Sequence, residues 1–178
     1  PDQSVDYIFV DPPFGENIYY ADLAQVIESW HAVLTSVHEE AIVDRNRQAP
    51  KDVGVYAQLM GRCFREFARV LKPGRWMTVE FSNSSNEVWA ALQQAIADAG
   101  FVIADTRILD KAQDSYRQAT AVNAVKQDLM ISCYKPATET ALAVRDGQGS
   151  EPTLWSFVNE HLRHLPVKEK AEGKARPV

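Results

Sequence analysis

Apolar residues follow two rhythms along this chain, and the changes of rhythm mark its elements. Residues 6–10, Asp6-Tyr7-Ile8-Phe9-Val10, form a short apolar, β-branched and aromatic run of the kind that makes a buried strand. The run ends abruptly at Asp11-Pro12-Pro13-Phe14-Gly15. From Ala21 the spacing becomes helical: Leu23, Val26, Ile27, Trp30, Val33 and Leu34 share one face, with acids in the first turns where the helix dipole favours them. Residues 41–53 are polar and basic around Pro50 and read as an exposed loop. A second helix is predicted over 55–71. Leu59, Met60, Cys63, Phe64, Phe67, Val70 and Leu71 form its apolar face, while Arg62, Arg65, Glu66 and Arg69 face outward. Lys72-Pro73-Gly74 stops it. Residues 76–81 read as a strand, and Ser82-Asn83-Ser84-Ser85-Asn86 caps a helix over 87–99 that Gly100 closes. Strands follow at 101–109 and 127–134. Between them, residues 111–126 lack any period, as functional loops often do. A short helix is expected over 154–165, and the charged, small-residue end at 168–178 is expected to be disordered.

The resulting order is strand–helix–helix–strand–helix–strand–strand. Parallel strands need helical, right-handed crossovers, so the first strands are expected to be parallel. The last two have no helix between them and are expected to pair antiparallel at the sheet's edge. The predicted class is α/β, part of a doubly wound sheet. Residues 1–136 form the main unit and 137–178 a C-terminal extension.

Composition narrows the function classes. A chain of 178 residues accommodates one domain with a real core. The net charge of −5 excludes a global basic field for nucleic acid, so any polyanion contact must come from local patches. Arg45, Arg47 and Lys51 form one candidate cluster for phosphates, and Lys111, Arg117 and Lys126 another; solvated loop charges are the simpler explanation of both. Cys63 and Cys133 lie far apart without a CxxC spacing, which points to a reducing, cytoplasmic setting. His31, His38, His161 and His164 show no zinc-ligand pattern with cysteines, and no metal is expected. His31 and His38 are spaced to share a helix face. No apolar run is long enough to span a bilayer.

The best candidate site is the proline corner. Pro12 and Pro13 lack N–H groups, fix φ near −65° and push the preceding residues out of helical space. Asp11 is thereby held at the carboxyl end of a strand, where ligands bind in open α/β sheets, with Phe14 projecting from a stiff turn. A magnesium-binding acid in a phosphate enzyme is disfavoured, because no Gly-x-x-x-x-Gly-Lys-Ser/Thr loop is present.

Asp11-Pro12-Pro13-Phe14 resembles the catalytic tetrapeptide of amino-group DNA methyltransferases, which modify adenine N6 or cytosine N4 with S-adenosylmethionine. Two further stretches support the resemblance: Val70-Leu71-Lys72-Pro73-Gly74 leading into a strand, and Asp128-Leu129-Met130-Ile131-Ser132-Cys133-Tyr134-Lys135-Pro136 as a terminal hairpin strand. Residues 11–20 are most similar to bacterial adenine-specific methylases with Asp-Pro-Pro-Phe-Gly-x-Asn-Ile-x-Tyr. The resemblance implies a partial Rossmann-like class I methyltransferase fold, a bacterial or archaeal cytoplasmic protein, DNA as partner and S-adenosylmethionine as cofactor. It also implies roles. The Asp11 carboxylate and a carbonyl of the Pro12–Pro13 corner would accept the two N–H bonds of an exocyclic amine, stabilising charge as the methyl arrives. Phe14 would stack on a flipped base, which contributes about 1–3 kcal/mol against a flipping cost of a few kcal/mol. Asn17, Tyr20 and Ser115 would contact the base, with Tyr19 as a further neighbour; ordinary core packing explains such aromatics equally well.

The cofactor half is where the resemblance thins. Family members bind S-adenosylmethionine through a glycine-rich turn, and none occurs in these 178 residues; Asp11 would supply only part of that site. Pro1 stands a few residues ahead of the motif, and a piece of a longer protein is expected. The isolated piece is then expected to be inactive, with a free edge on its first strand able to pair with a second copy. Methylation of an amine in RNA or on a protein glutamine remains open at this stage, as does a non-catalytic assembly remnant.

Overall fold

The computed structural model describes residues 1–15, 18–44, 50–109, 128–137, 143–144 and 150–165. Its named elements follow in the order β1 (Val5–Val10), α1 (Tyr20–Trp30), α2 (Val53–Val70), β2 (Leu71–Phe81), α3 (Asn86–Asp98), β3 (Val102–Leu109), β4 (Asp128–Tyr134) and α4 (Glu151–His164). They build an α/β fold on a four-stranded mixed sheet ordered β1-β2-β4-β3. β1 and β2 are parallel, and β4 runs antiparallel to both β2 and β3. The crossover expected between the first strands and the antiparallel terminal pair are both present.

Period-2 alternation explains why this sheet has one apolar face. Met77, Val79 and Phe81 of β2 are buried, in register with Cys133, Ile131 and Leu129 of β4. α2 and α3 cover that face with Tyr56, Met60, Phe64, Val88, Leu92 and Ile96. Ser85 caps α3 by accepting from the Val88 N–H at 3.4 Å, and Gly100, at φ +92°, ends the helix region, as the sequence pattern predicts. On the opposite face Tyr134 pairs with Trp76, and α4 docks there through a stacked Tyr134–His164 pair at 4.0 Å. The Tyr134 hydroxyl and His161 Nδ1 share a hydrogen bond of 3.1 Å.

Four expectations need correction. The Lys72-Pro73-Gly74 stretch does not separate helix from strand. α2 stops at Val70, and β2 starts at Leu71 and carries the three residues as an irregularity, with β1 slipping register between Val5↔Leu71 and Tyr7↔Trp76. Gly74 permits this with φ +71°, and its N–H donates to the Lys135 carbonyl at 2.8 Å. Second, α1 ends at Trp30, and its apolar residues Leu23, Val26, Ile27 and Trp30 are exposed, as are Val33 and Leu34 beyond it. No described element packs over that face, and the chain turns at Ala32, φ +54°. His31 and His38 therefore share no helix. Third, Cys63 is exposed, because the buried face of α2 runs through Tyr56, Met60 and Phe64 and leaves position 63 outside.

Fourth, the described residues of the 41–53 stretch, 41–44 and 50–53, are not a solvated loop. Ile42, Val43, Asp44, Lys51 and Val53 are buried, and Asp44 and Lys51 exchange both backbone hydrogen bonds, at 2.8 and 2.7 Å. The Lys51 ammonium donates to the carbonyls of Val37 and Glu40, each at 2.5 Å, which compensates its burial. Among the described residues no group of histidine, cysteine and acid side chains is arranged to hold a metal, and no helix is long and apolar enough to cross a membrane.

Candidate active site

β1 ends opposite Val79 of β2, and the chain leaves the sheet with Asp11 exposed at the strand's carboxyl end. Pro12 is buried; Pro13 and Phe14 are half-buried. The carbonyls that follow are taken up by three different parts of the molecule. The Tyr56 hydroxyl, from the first turn of α2, donates to the Pro13 carbonyl at 2.8 Å. Asn83 Nδ2, just after β2, donates to the Phe14 carbonyl. The Val43 N–H donates to the Gly15 carbonyl at 3.4 Å. Among the described residues, no donor reaches the Pro12 carbonyl.

Asn83 joins the corner to the next helix. Its Oδ1 accepts from the Ser85 N–H at 2.6 Å, and its carbonyl accepts from Trp89 Nε1 at 2.8 Å. Trp89 meets Phe81 edge-on at 4.8 Å, and Phe81 meets Phe14 edge-on at 5.4 Å. Phe14 therefore does not project freely: its ring is half-buried and held against the end of β2. Gly15 sits at φ +103°, and a Cβ there would lie 3.0 Å from Asn83 Nδ2.

Tyr20 opens α1 beside the corner. Burial pushes its phenol up, the Phe14 backbone N–H pulls against this, and the charges of Asp11 and Glu40 push it further up. Asp11, Phe14 and Tyr20 are thus neighbours. Glu40 accepts from the Ala21 N–H at 3.0 Å, at the end of α1 where an anion is favoured. Its other carboxylate oxygen is buried without a hydrogen-bond partner among the described residues. Tyr19 reaches Asp44 Oδ1 at 3.4 Å. Asn17 and Ser115 lie outside the described residues, as do Arg45, Arg47, Lys111, Arg117 and Lys126. Lys51 is described, and its burial against carbonyls removes it from any phosphate-binding cluster.

Sequence reasoning did not single out Tyr56, Asn83 or Glu40 for this site. Tyr56 carried one usable signal. It falls in the core register of α2, and a buried tyrosine hydroxyl needs a partner. Glycines of a cofactor turn are absent from the described corner. Gly15 is packed against Asn83, Gly54 and Gly61 lie in α2, and Gly74 and Gly100 serve β2 and the end of α3. These residues do not fit the main S-adenosylmethionine cradle.

The sequence profile of the N6/N4 DNA methylase family, described as DNA methylase, matches residues 5–177. The chain belongs to the DNA methylase family. Among solved structures it is similar to a Thermus thermophilus protein described as a DNA modification methylase, at 17% identity, TM-score 0.44, covering 78% of this chain and 47% of that one. It is also similar to the PvuII DNA methyltransferase, described as cytosine-N4-specific, at 12% identity, TM-score 0.49, covering 77% of this chain and 44% of that one. This DNA methylase chain spans about half the length of the solved methylases it matches. No curated protein matches it.

Proposed function

We propose that this chain is the target-base part of an S-adenosylmethionine-dependent methyltransferase acting on the exocyclic amine of a DNA base, adenine N6 in particular. One observation carries the reading. At the corner, Asp11 is exposed and the Pro12 carbonyl is without a donor among the described residues, while the next three carbonyls are taken. Two acceptors on adjacent residues suit the two N–H bonds of an aromatic amine, whose lone pair is otherwise delocalised into the ring. Phe14 and Tyr20 provide the aromatic surface for the base. Asn17 and Ser115 are proposed to complete the base pocket. S-adenosylmethionine supplies an electrophilic methyl group, and the glycine-rich part of its site is proposed to lie outside this chain. Residues 1–136 are proposed as the catalytic unit and 137–178 as its extension. The outer edge of β1 is proposed to pair with a further strand, and a second copy can supply it.

Adenine is favoured over cytosine by the Asp-Pro-Pro-Phe-Gly-x-Asn-Ile-x-Tyr similarity across residues 11–20. The experiment is tritiated methyl transfer to unmethylated DNA by the full-length protein, followed by nucleoside analysis. N6-methyladenine is expected, and N4-methylcytosine would move the reading to cytosine. Asp11→Ala is expected to lower transfer by about 100-fold or more, the scale of losing one transition-state acceptor or donor. Unchanged transfer would remove Asp11 from the mechanism. The isolated 178 residues are expected to transfer no methyl group.

A further inference from the structure

The reactive corner holds a rigid half and a soft half. Proline rings lock φ at Pro12 and Pro13, but ψ of Pro13 is free to rotate unless something holds the carbonyl that follows it. That angle sets the orientation of the Pro12 carbonyl relative to the Phe14 ring. It therefore decides whether an amine acceptor and an aromatic platform can serve the same base at once.

The group that holds the Pro13 carbonyl is the Tyr56 hydroxyl, at 2.8 Å. Tyr56 is wholly buried and comes from α2, 43 residues along the chain. Its ring belongs to the core cluster with Met60, Phe64 and Val88, so the donor is fixed by packing on its own side. Burial raises the Tyr56 phenol, with a smaller push from Tyr20, so the group stays protonated and keeps donating. From the other side of the same corner, Asn83 holds the Phe14 carbonyl. The two donors bracket the Pro13–Phe14 peptide.

We propose that Tyr56 is a positioning residue for methyl transfer, fixing the Pro13 carbonyl so that the Pro12 carbonyl and Phe14 face one target base. The inference rests on the reading of the corner as a methyltransferase site. It adds a residue outside the motif, and it gives the Pro13 carbonyl a structural task distinct from that of the Pro12 carbonyl.

The test compares the full-length protein with its Tyr56→Phe variant by two readouts. In carbonyl NMR with labelled proline, Tyr56→Phe is expected to shift or broaden the Pro12 and Pro13 signals while those of the α2–α3 core stay in place. In DNA methyl transfer, kcat is expected to fall about 10- to 100-fold with KM for DNA within about 2-fold, the scale of a slight misplacement of reacting groups. Phe64→Leu, in the same core, controls for stability; an equal kcat loss there at equal thermal destabilisation would overturn the proposal. Unchanged proline signals, or an unchanged kcat in an active protein, would also overturn it. If the variant does not fold, the unaltered protein decides. A slowly exchanging Tyr56 hydroxyl proton close to the Pro13–Phe14 peptide supports the anchor, and its absence overturns it. Shifted proline signals in a protein that transfers no methyl to DNA would uphold the anchor and reject the methyltransferase reading instead.

Discussion

Gly15 shows how tightly a single position is specified next to the proline corner. Its φ of +103° lies where side chains are strained, and its would-be Cβ meets Asn83 Nδ2 at 3.0 Å and Val88 at 3.5 Å. Asn83 cannot easily yield, because its amide and carbonyl are already bonded to Phe14, Ser85 and Trp89. Gly15→Ala is expected to cost about 1–3 kcal/mol in urea unfolding. A loss below the resolution of the measurement would show that the turn relaxes. At this scale the motif was legible because proline and glycine restrict the backbone wherever they stand. Tyr56, Asn83 and Glu40 were not, since their roles depend on what lies across the fold. A tyrosine in an apolar helix face reads as core whether its hydroxyl caps a carbonyl or not. The free thiol of Cys133 is a similar case: burial pushes it up to about 12, and it donates to the Met77 carbonyl at 3.3 Å, an inert core group.

Among the elements, α1 and α2 illustrate opposite outcomes of the same helical pattern. α2 buries its stripe, and Met60→Ala there is expected to cost about 2–5 kcal/mol. α1 exposes its stripe, so Val26→Gln and Ile27→Gln are expected to change stability by no more than about 0.5 kcal/mol. Urea unfolding of the three variants side by side checks the contrast. A large loss from the α1 pair would mean that its face is covered in solution. Periodicity revealed both helices but not which stripe finds a partner, because that depends on neighbours outside the window. The described ends of the 41–53 stretch failed for the converse reason. Its charges read as solvated, yet Lys51 is paired with carbonyls and Asp44 is tied to it through the backbone, a compensation that composition does not reveal. The strand starting at Leu71 was hidden by Pro73 and Gly74, which read as breakers but are accommodated as an irregularity beside β1.

At the scale of the molecule, the sheet order among the described residues leaves β1, the strand that delivers Asp11, at an edge. Its outward side chains Tyr7 and Phe9 are a little over half exposed, at 54% and 55%. Exposed apolar edges pair with other strands. The 178-residue chain is therefore expected to associate at high concentration, and Phe9→Lys is expected to shift it toward monomer in light scattering. A clean monomer of the unaltered chain under those conditions would count against the pairing edge. The family relationship places the chain in the DNA methylases.

The Asp44–Lys51 bridge has an evolutionary consequence. Two backbone hydrogen bonds clamp the chain on either side of residues 45–49, and Val43, beside the clamp, is the residue that bonds Gly15. Whatever is spliced between the clamped ends changes the closure entropy only slowly, by about 0.6 kcal/mol per doubling of length. Such a clamp would let descendants vary the length between its ends at little cost in closure entropy.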